Sequence, residues 1–219
     1  MAKGGEWYSK RSSAIIPMAS THIIICCGAE TEKNYFESIV GYIKSQEKNK
    51  LLKFYVEVDA VDPMNMANNV SEITKNVAKK ENCKIQHVWV LFDKDDFKPD
   101  NFNNAIAKIK CLTNSTTTYH ALWSNQCFEL WLLLNFINMQ STINREAYIE
   151  KLEVYLKEKY KKNDENLFGK ITLKGGNIIK AISYAKGLID NNLPPAKNDP
   201  ATMVYEFFEH FSNYLGLWQ

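Results

Sequence analysis

The chain has 219 residues, 45% of them hydrophobic and 24% charged, with 27 Lys and Arg against 25 Asp and Glu. That apolar share can fill a real interior, which excludes disorder, and a formal charge of +2 excludes a protein that coats nucleic acid through bulk charge. The longest apolar stretches, Ile23 to Cys26 and Leu130 to Leu134, fall far short of the roughly twenty residues of a membrane span. Met1 to Ser13 carries Lys3, Lys10 and Arg11 but no apolar run of the kind a secretory leader needs. A cytoplasmic protein with no membrane partner is expected.

The first apolar run, His22 to Cys26, is rich in isoleucine and stops at Gly28, as a buried strand would. From Thr31 the period becomes helical, with Phe36, Ile39, Val40 and Ile43 on one face and Glu32 and Glu37 toward the start. The same order then repeats. Lys53 to Val58 reads as a strand, followed by a turn at Asp62 and Pro63 and a helix marked by Met66, Val70, Ile73 and Val77. His87 to Phe92 is the most apolar strand; an acidic turn from Asp93 to Asp96 and a helix from about Phe102 to Ile109 follow it. A fourth strand, Thr118 to Trp123, leads through Ser124 and Asn125 into a helix carrying Phe128, Trp131, Leu132 and Leu134.

Strands alternating with helices of this length imply right-handed crossovers and a mainly parallel sheet of about four strands, covered by helices on both faces. Beyond Gln140 the strand pattern stops. Helices are expected around Tyr148 to Leu156, around Ile178 to Ala185 and from Met203 to Phe211, the last after a turn at Leu193 to Pro195. The expected organisation is an N-terminal extension over residues 1–20, an α/β core over 21–139 and a helical region over 140–219 packed on that core.

Five cysteines, Cys26, Cys27, Cys83, Cys111 and Cys127, include no CxxC pair, so neither a zinc site nor a disulfide framework is expected. They read mainly as buried, reduced small hydrophobes. His22, His87, His120 and His210 are scattered along the chain, which gives little support to a histidine cluster.

In an open parallel sheet, ligands collect at the carboxyl ends of the strands. The acidic residues fall there. Glu30 and Glu32 follow the first strand, Asp93, Asp95 and Asp96 the third, and Glu129 the fourth. Carboxylates brought together repel unless they share protons or bind a cation, and a hard divalent ion such as Mg²⁺ suits oxygen ligands. Read more plainly, Asp93 to Asp96 is a solvated turn, and Glu30 and Glu32 favour the dipole of the next helix. Glu129 stands in an otherwise apolar helix, so it should face a cleft or a cation.

The segment from Gly28 through Ala29, Glu30, Thr31, Glu32, Lys33, Asn34 and Tyr35 to Phe36 resembles the RloB-like proteins, also called the abortive-infection AbiLii type. So do Val90-Leu91-Phe92-Asp93-Lys94-Asp95-Asp96 and the run Ser124-Asn125-Gln126-Cys127-Phe128-Glu129-Leu130-Trp131, the most specific of the three. Asn198-Asp199-Pro200-Ala201-Thr202 is similar to that family's Asn-Pro-Ser-Thr segment, and the likeness runs from about Ile23 to the C-terminus.

The resemblance implies a Toprim-like α/β fold over residues 21–139, a Mg²⁺-dependent nuclease-like centre in which Mn²⁺ can substitute, and a part in bacterial defence against phage. It also implies an RNA or DNA substrate and an ABC-type ATPase partner; a homo-oligomer is compatible with it. By this analogy Asp93 and Asp95, with Asp96 beside them, are metal ligands, and Glu32 is the acid of the Thr31-Glu32 motif. Gly28, Thr31, Ser124, Asn125 and Glu129 would support the site or bind substrate. One departure stands out: the family usually has Glu immediately before Gly28, and this chain has Cys27. A protonated thiol matches Mg²⁺ poorly, so either Glu30 takes that role or the centre is degenerate.

Other features read two ways. Ser124 and Asn125 can cap the next helix or offer backbone N–H groups to a phosphate. Lys159, Lys161 and Lys162 beside Tyr160, with Lys170 and Lys174 farther on, can contact a phosphate backbone or form a solvated helix end. The expectation of a nuclease therefore stands against that of a regulatory binding module, with aspartyl-phosphate chemistry at Asp93 a remoter third.

Overall fold

The computed structural model describes residues 20–46 and 51–215. Apart from Ser20, the expected N-terminal extension lies outside the described residues. The apolar runs form β1 (Ser20–Cys26), β2 (Leu52–Val58), β3 (His87–Asp93) and β4 (Thr118–Asn125). Between them run α1 (Thr31–Ser45), α2 (Pro63–Lys80) and α3 (Pro99–Cys111). The second helix starts where its sequence says it should: Asp62 accepts the backbone N–H groups of Met64 and Asn65 at 3.0 and 3.1 Å, and Pro63 opens the first turn.

The sheet is α/β in character, with strand order β2-β1-β3-β4-β5. The pairs β1–β2, β1–β3 and β3–β4 are parallel. The fifth strand, β5 (Ala201–Thr202), is antiparallel to β4, with Thr202 opposite Ser124 and Ala201 opposite Asn125. It lies in the region where no strand was expected, because two residues are too few to show an alternation.

The remaining chain is helical: α4 (Glu129–Leu134), α5 (Arg145–Leu156), α6 (Leu167–Leu173), α7 (Ile178–Gly187), a 3-10 turn at Pro195–Lys197, α8 (Tyr205–His210) and α9 (Ser212–Leu215). The short α6 has no counterpart in the sequence reading.

Side chains alternate across a strand, so each strand feeds two cores. Ile23, Ile25, Val88, Val90 and Phe92 pack with Met66 and Val70 of α2 and Phe102 and Ile106 of α3. Ile24, Cys26, Trp89, Leu91 and Leu122 face the other way, toward Phe36 of α1 and Trp131, Phe207, Phe208 and Phe211 of the C-terminal helices. Trp131 ties this second layer together, stacking on Phe208 with centroids 4.8 Å apart and donating its indole N–H to the Tyr35 hydroxyl at 3.0 Å. Among the described residues no helix is long and apolar enough to cross a membrane. All five cysteines are free, but only Cys26 and Cys127 are buried.

The histidines are not scattered in space. Parallel register sets His22 directly against His87, their rings stacked nearly parallel with centroids 5.0 Å apart, while His120 lies 5.5 Å beyond. His210, at the end of α8, meets His87 edge-on at 4.6 Å. All four histidines of the sequence thus gather at the amino-terminal edge of the sheet, on the face covered by α8. As they stand they do not form a metal centre: among the described residues no three His, Cys, Asp or Glu side chains are grouped to hold an ion.

Candidate functional site

At the opposite, carboxyl-terminal edge of the sheet is a cleft of about 370 Å³. Its lining includes Cys27, Gly28, Glu30, Thr31 and Glu32 after β1, Asp93 and Asp95 after β3, and Glu129 after β4. Strand order makes this convergence: β1, β3 and β4 are neighbours, so the loops leaving their carboxyl ends are neighbours too.

The carboxylates differ in setting. Glu32 and Glu129 are buried, Asp93 keeps 14% of its side-chain exposure, and Glu30 lies at the exposed rim. Burial raises the Glu32 carboxyl above its ordinary range, and the Glu129 charge adds to the effect. Asp93 is raised well above its usual value, by burial first and then by Glu32, Glu129 and Asp95. Its Oδ2 accepts the backbone N–H of Phe128 at 3.1 Å, at the start of the segment leading into α4. Asp95 is raised by burial, against the opposing pull of Arg145. Its backbone has φ 43°, a left-handed conformation that Asp tolerates better than most residues, and its N–H donates to the Gln126 carbonyl at 3.1 Å. Asp96 is exposed and does not line the cleft.

Gly28 leaves room for this arrangement. A Cβ at that position would overlap the Glu32 carboxylate, the movable end of a side chain. If the cleft takes a divalent cation, Gly28→Ala is therefore expected to leave the melting temperature within a few degrees of wild type while shifting Glu32 and weakening Mn²⁺ binding at least about tenfold. Titration of the two proteins with Mn²⁺ checks this; equal affinities would show that Glu32 does not depend on the glycine.

Cys27 is no substitute carboxylate. Burial, then Glu32 and Asp93, push its thiol up to about 12, and its S–H donates to the Val61 carbonyl at 2.9 Å. It is a neutral group at the cleft wall.

The cations come from the C-terminal region. Arg145, the first residue of α5, reaches Asp93 Oδ2 with Nη2 at 3.5 Å and pairs more closely with Asp95 Oδ1. Lys162 also lines the cleft. Tyr160 donates its hydroxyl to Glu129 Oε1 at 3.2 Å and lies 3.5 Å from the Thr31 hydroxyl, and burial raises its own pKa. Two lysines of the basic segment are engaged elsewhere: Lys159 pairs with Glu153 at 2.9 Å, and Lys170 with Glu158 and Asp164.

Ser124 and Asn125 do not cap the next helix. Ser124 Oγ is 2.9 Å from Thr202 Oγ1, and the Asn125 amide donates to the Asn198 and Ala196 carbonyls at 2.8 and 3.3 Å. Neither lines the cleft; they fasten the β5 segment to β4. The amino end of α4 has no side-chain cap.

Sequence reasoning did not find Arg145. The available signal was scarcity, since Arg11 and Arg145 are the only arginines in the chain.

A family profile described as RloB-like protein matches residues 22–211. The chain belongs to the RloB-like family. Membership points to a defence-associated protein, and the match spans the cleft, the helix that supplies Arg145 and the turn that supplies Lys162. No curated protein and no solved structure matches the chain.

The donor set suits a hard divalent cation: Glu32, Asp93, Asp95 and Glu129 offer oxygens only, and their mutual repulsion is not fully relieved by protein groups. Their present arrangement is not that of a bound ion, because the Arg145 guanidinium stands against both Asp93 and Asp95.

Proposed function

We propose that this RloB-like protein is a Mg²⁺-dependent nuclease, with Mn²⁺ able to substitute, that cleaves RNA or DNA phosphodiester bonds in bacterial defence against phage. It works in the cytoplasm beside an ABC-type ATPase, and residues 21–139 form its Toprim-like core. The observation that carries this reading is the meeting of Glu32, Asp93, Asp95 and Glu129 with Arg145 and Lys162 in one cleft. Carboxylates alone would repel a phosphodiester; carboxylates with a metal and two basic side chains can receive one.

Asp93 and Asp95 are the ligands nearest each other in function, Glu32 the third, and Glu129, held by Tyr160, a supporting acid. Glu30 at the rim is the candidate ligand or base in place of the missing Glu at position 27. Bound Mg²⁺ would orient a water and stabilise the leaving oxygen. Lys162 would attract the substrate phosphate. The test is incubation of the purified protein, alone and with its activating ATPase, with tRNA, mRNA and plasmid in Mg²⁺ or Mn²⁺. Metal-dependent cleavage is expected, and intact substrates under all these conditions would remove the reading.

The neutral thiol of Cys27 favours a second reading, a degenerate centre that regulates the ATPase or senses a ligand. Under it, wild type does not cleave and Cys27→Glu gains metal-dependent cleavage. Efficient cleavage by wild type rejects it.

A further inference from the structure

We propose that Arg145 is a resident counter-cation that gates the cleft: it holds Asp93 and Asp95 until a divalent cation displaces it, and it then pairs with a substrate phosphate. This deepens the nuclease reading and rests on it.

The geometry gives the guanidinium two carboxylates and leaves it partly exposed at the cleft. Nη2 contacts both Asp93 Oδ2 and Asp95 Oδ1, while 37% of the side chain remains exposed toward the cleft. The backbone below is fixed, because Asn144 caps α5 by accepting the Ala147 N–H at 2.8 Å. Only the side chain needs to move. A divalent ion on the same two oxygens would stand at contact distance from the guanidinium, where like charges repel strongly, so the two cannot share the pair.

The residue type supports the second half of the cycle. The chain has 27 Lys and Arg, of which only Arg11 and Arg145 are arginine. Lysine would neutralise the carboxylates as well, but the planar fork of arginine suits both a carboxylate and a phosphate in the same hydrogen-bonding pattern. A cation that must exchange one for the other is best served by that fork. Lys162 lines the same cleft and is the second cation facing an incoming phosphate.

The scarcity of arginine also makes the test clean. Protein labelled with ¹⁵N-arginine gives two Nε–H resonances, and Arg11→Lys identifies the one from Arg145. Addition of Mg²⁺ is expected to shift the Arg145 resonance in a saturable way and leave Arg11 in place. Arg145→Gln is expected to bind Mn²⁺ about tenfold more tightly than wild type, read from the free Mn²⁺ signal by electron paramagnetic resonance, an ordinary size for coupling between two sites. With Mn²⁺ saturating, the same variant should bind the dinucleotide pTpT at least about fivefold more weakly.

If wild type binds Mn²⁺ and Arg145→Gln binds it equally or less tightly, the gate is overturned and the carboxylate site stands. Neither protein binding Mn²⁺ overturns both. Should Arg145→Gln fail to fold, the wild-type titration decides alone, since an Arg145 resonance unmoved by saturating Mg²⁺ overturns the proposal.

Discussion

Asp93→Asn is expected to stabilise the protein while removing the metal-dependent cleavage proposed for it. In the folded chain Asp93 is raised well above its ordinary range, through burial and through Glu32, Glu129 and Asp95, so the anionic form is disfavoured. Arg145 at 3.5 Å offsets part of that cost. A raised carboxyl pKa is a penalty present at high pH and relieved as pH falls through the folded value, because the native state then takes up a proton that the unfolded chain does not yet bind. Asn is neutral at every pH and keeps an oxygen to accept the Phe128 N–H. The gain should be about 1–2 kcal/mol, the size seen when a functional site is relieved of its strain. For a chain of this length each kcal/mol raises the melting temperature by about 2–4 °C. The gain is largest at high pH and disappears in the ordinary carboxylate range.

Metal-dependent cleavage should fall by more than about a hundredfold, since even outer partners of metal ligands are worth about ten- to a hundredfold. Calorimetry at several pH values and a cleavage assay give the two readouts. An Asp93→Asn protein less stable than wild type at high pH would show that the carboxylate is held by compensations stronger than Arg145 and the Phe128 N–H.

The split between what was legible and what was not follows the range of the interactions. The four long strands and the first helices show in the sequence because each depends on local hydrophobic periodicity, as in Ile23 to Cys26 or Val88 to Phe92. The acids were legible because a parallel sheet dictates that residues just after strands meet, and Glu32, Asp93, Asp95 and Glu129 do line one cleft. Asp96 shares their sequence position but not their direction, since the turn at Asp95 carries it outward. Ser124 and Asn125 looked like helix caps from their neighbours alone. Their partners, Thr202 and Asn198, lie more than seventy residues away, Thr202 on a strand too short to leave a pattern and Asn198 in the turn before it. Arg145 reaches the cleft from a helix beyond the core, and the histidines meet through strand register that no local window contains.

The histidine cluster gives the second large effect, a loss of stability in mild acid that His22→Gln should reduce. His22 is fully buried, and its two ring nitrogens have fixed roles. Nδ1 accepts the Trp89 indole N–H at 3.3 Å, and since that group only donates, the imidazole proton must be on Nε2, which lies 2.6 Å from Ser20 Oγ. Protonating Nδ1 would turn a donor against a donor. Burial, then His87, His210 and His120, lower His22 to about 2. A lowered histidine pKa contributes stability above the unfolded value of about 6.5 that is lost as pH falls, because the unfolded chain binds the proton and the native chain does not. The slope for one such group is about 1.4 kcal/mol per pH unit. His120 and His210, each lowered to about 4, act in the same direction, as does His87. The raised carboxylates at the other end of the sheet act oppositely, gaining stability as pH falls, so the wild-type profile is a difference between two clusters. Comparison with His22→Gln cancels the carboxylate part. Gln keeps an acceptor for Trp89 but takes up no proton, so urea midpoints between pH 8 and 5 should run parallel above pH 6.5 and diverge below it, wild type losing about one proton's worth of stability more. Profiles that stay parallel down to pH 5 would mean that His22 accepts a proton within the fold, and that the Trp89 hydrogen bond does not fix its tautomer.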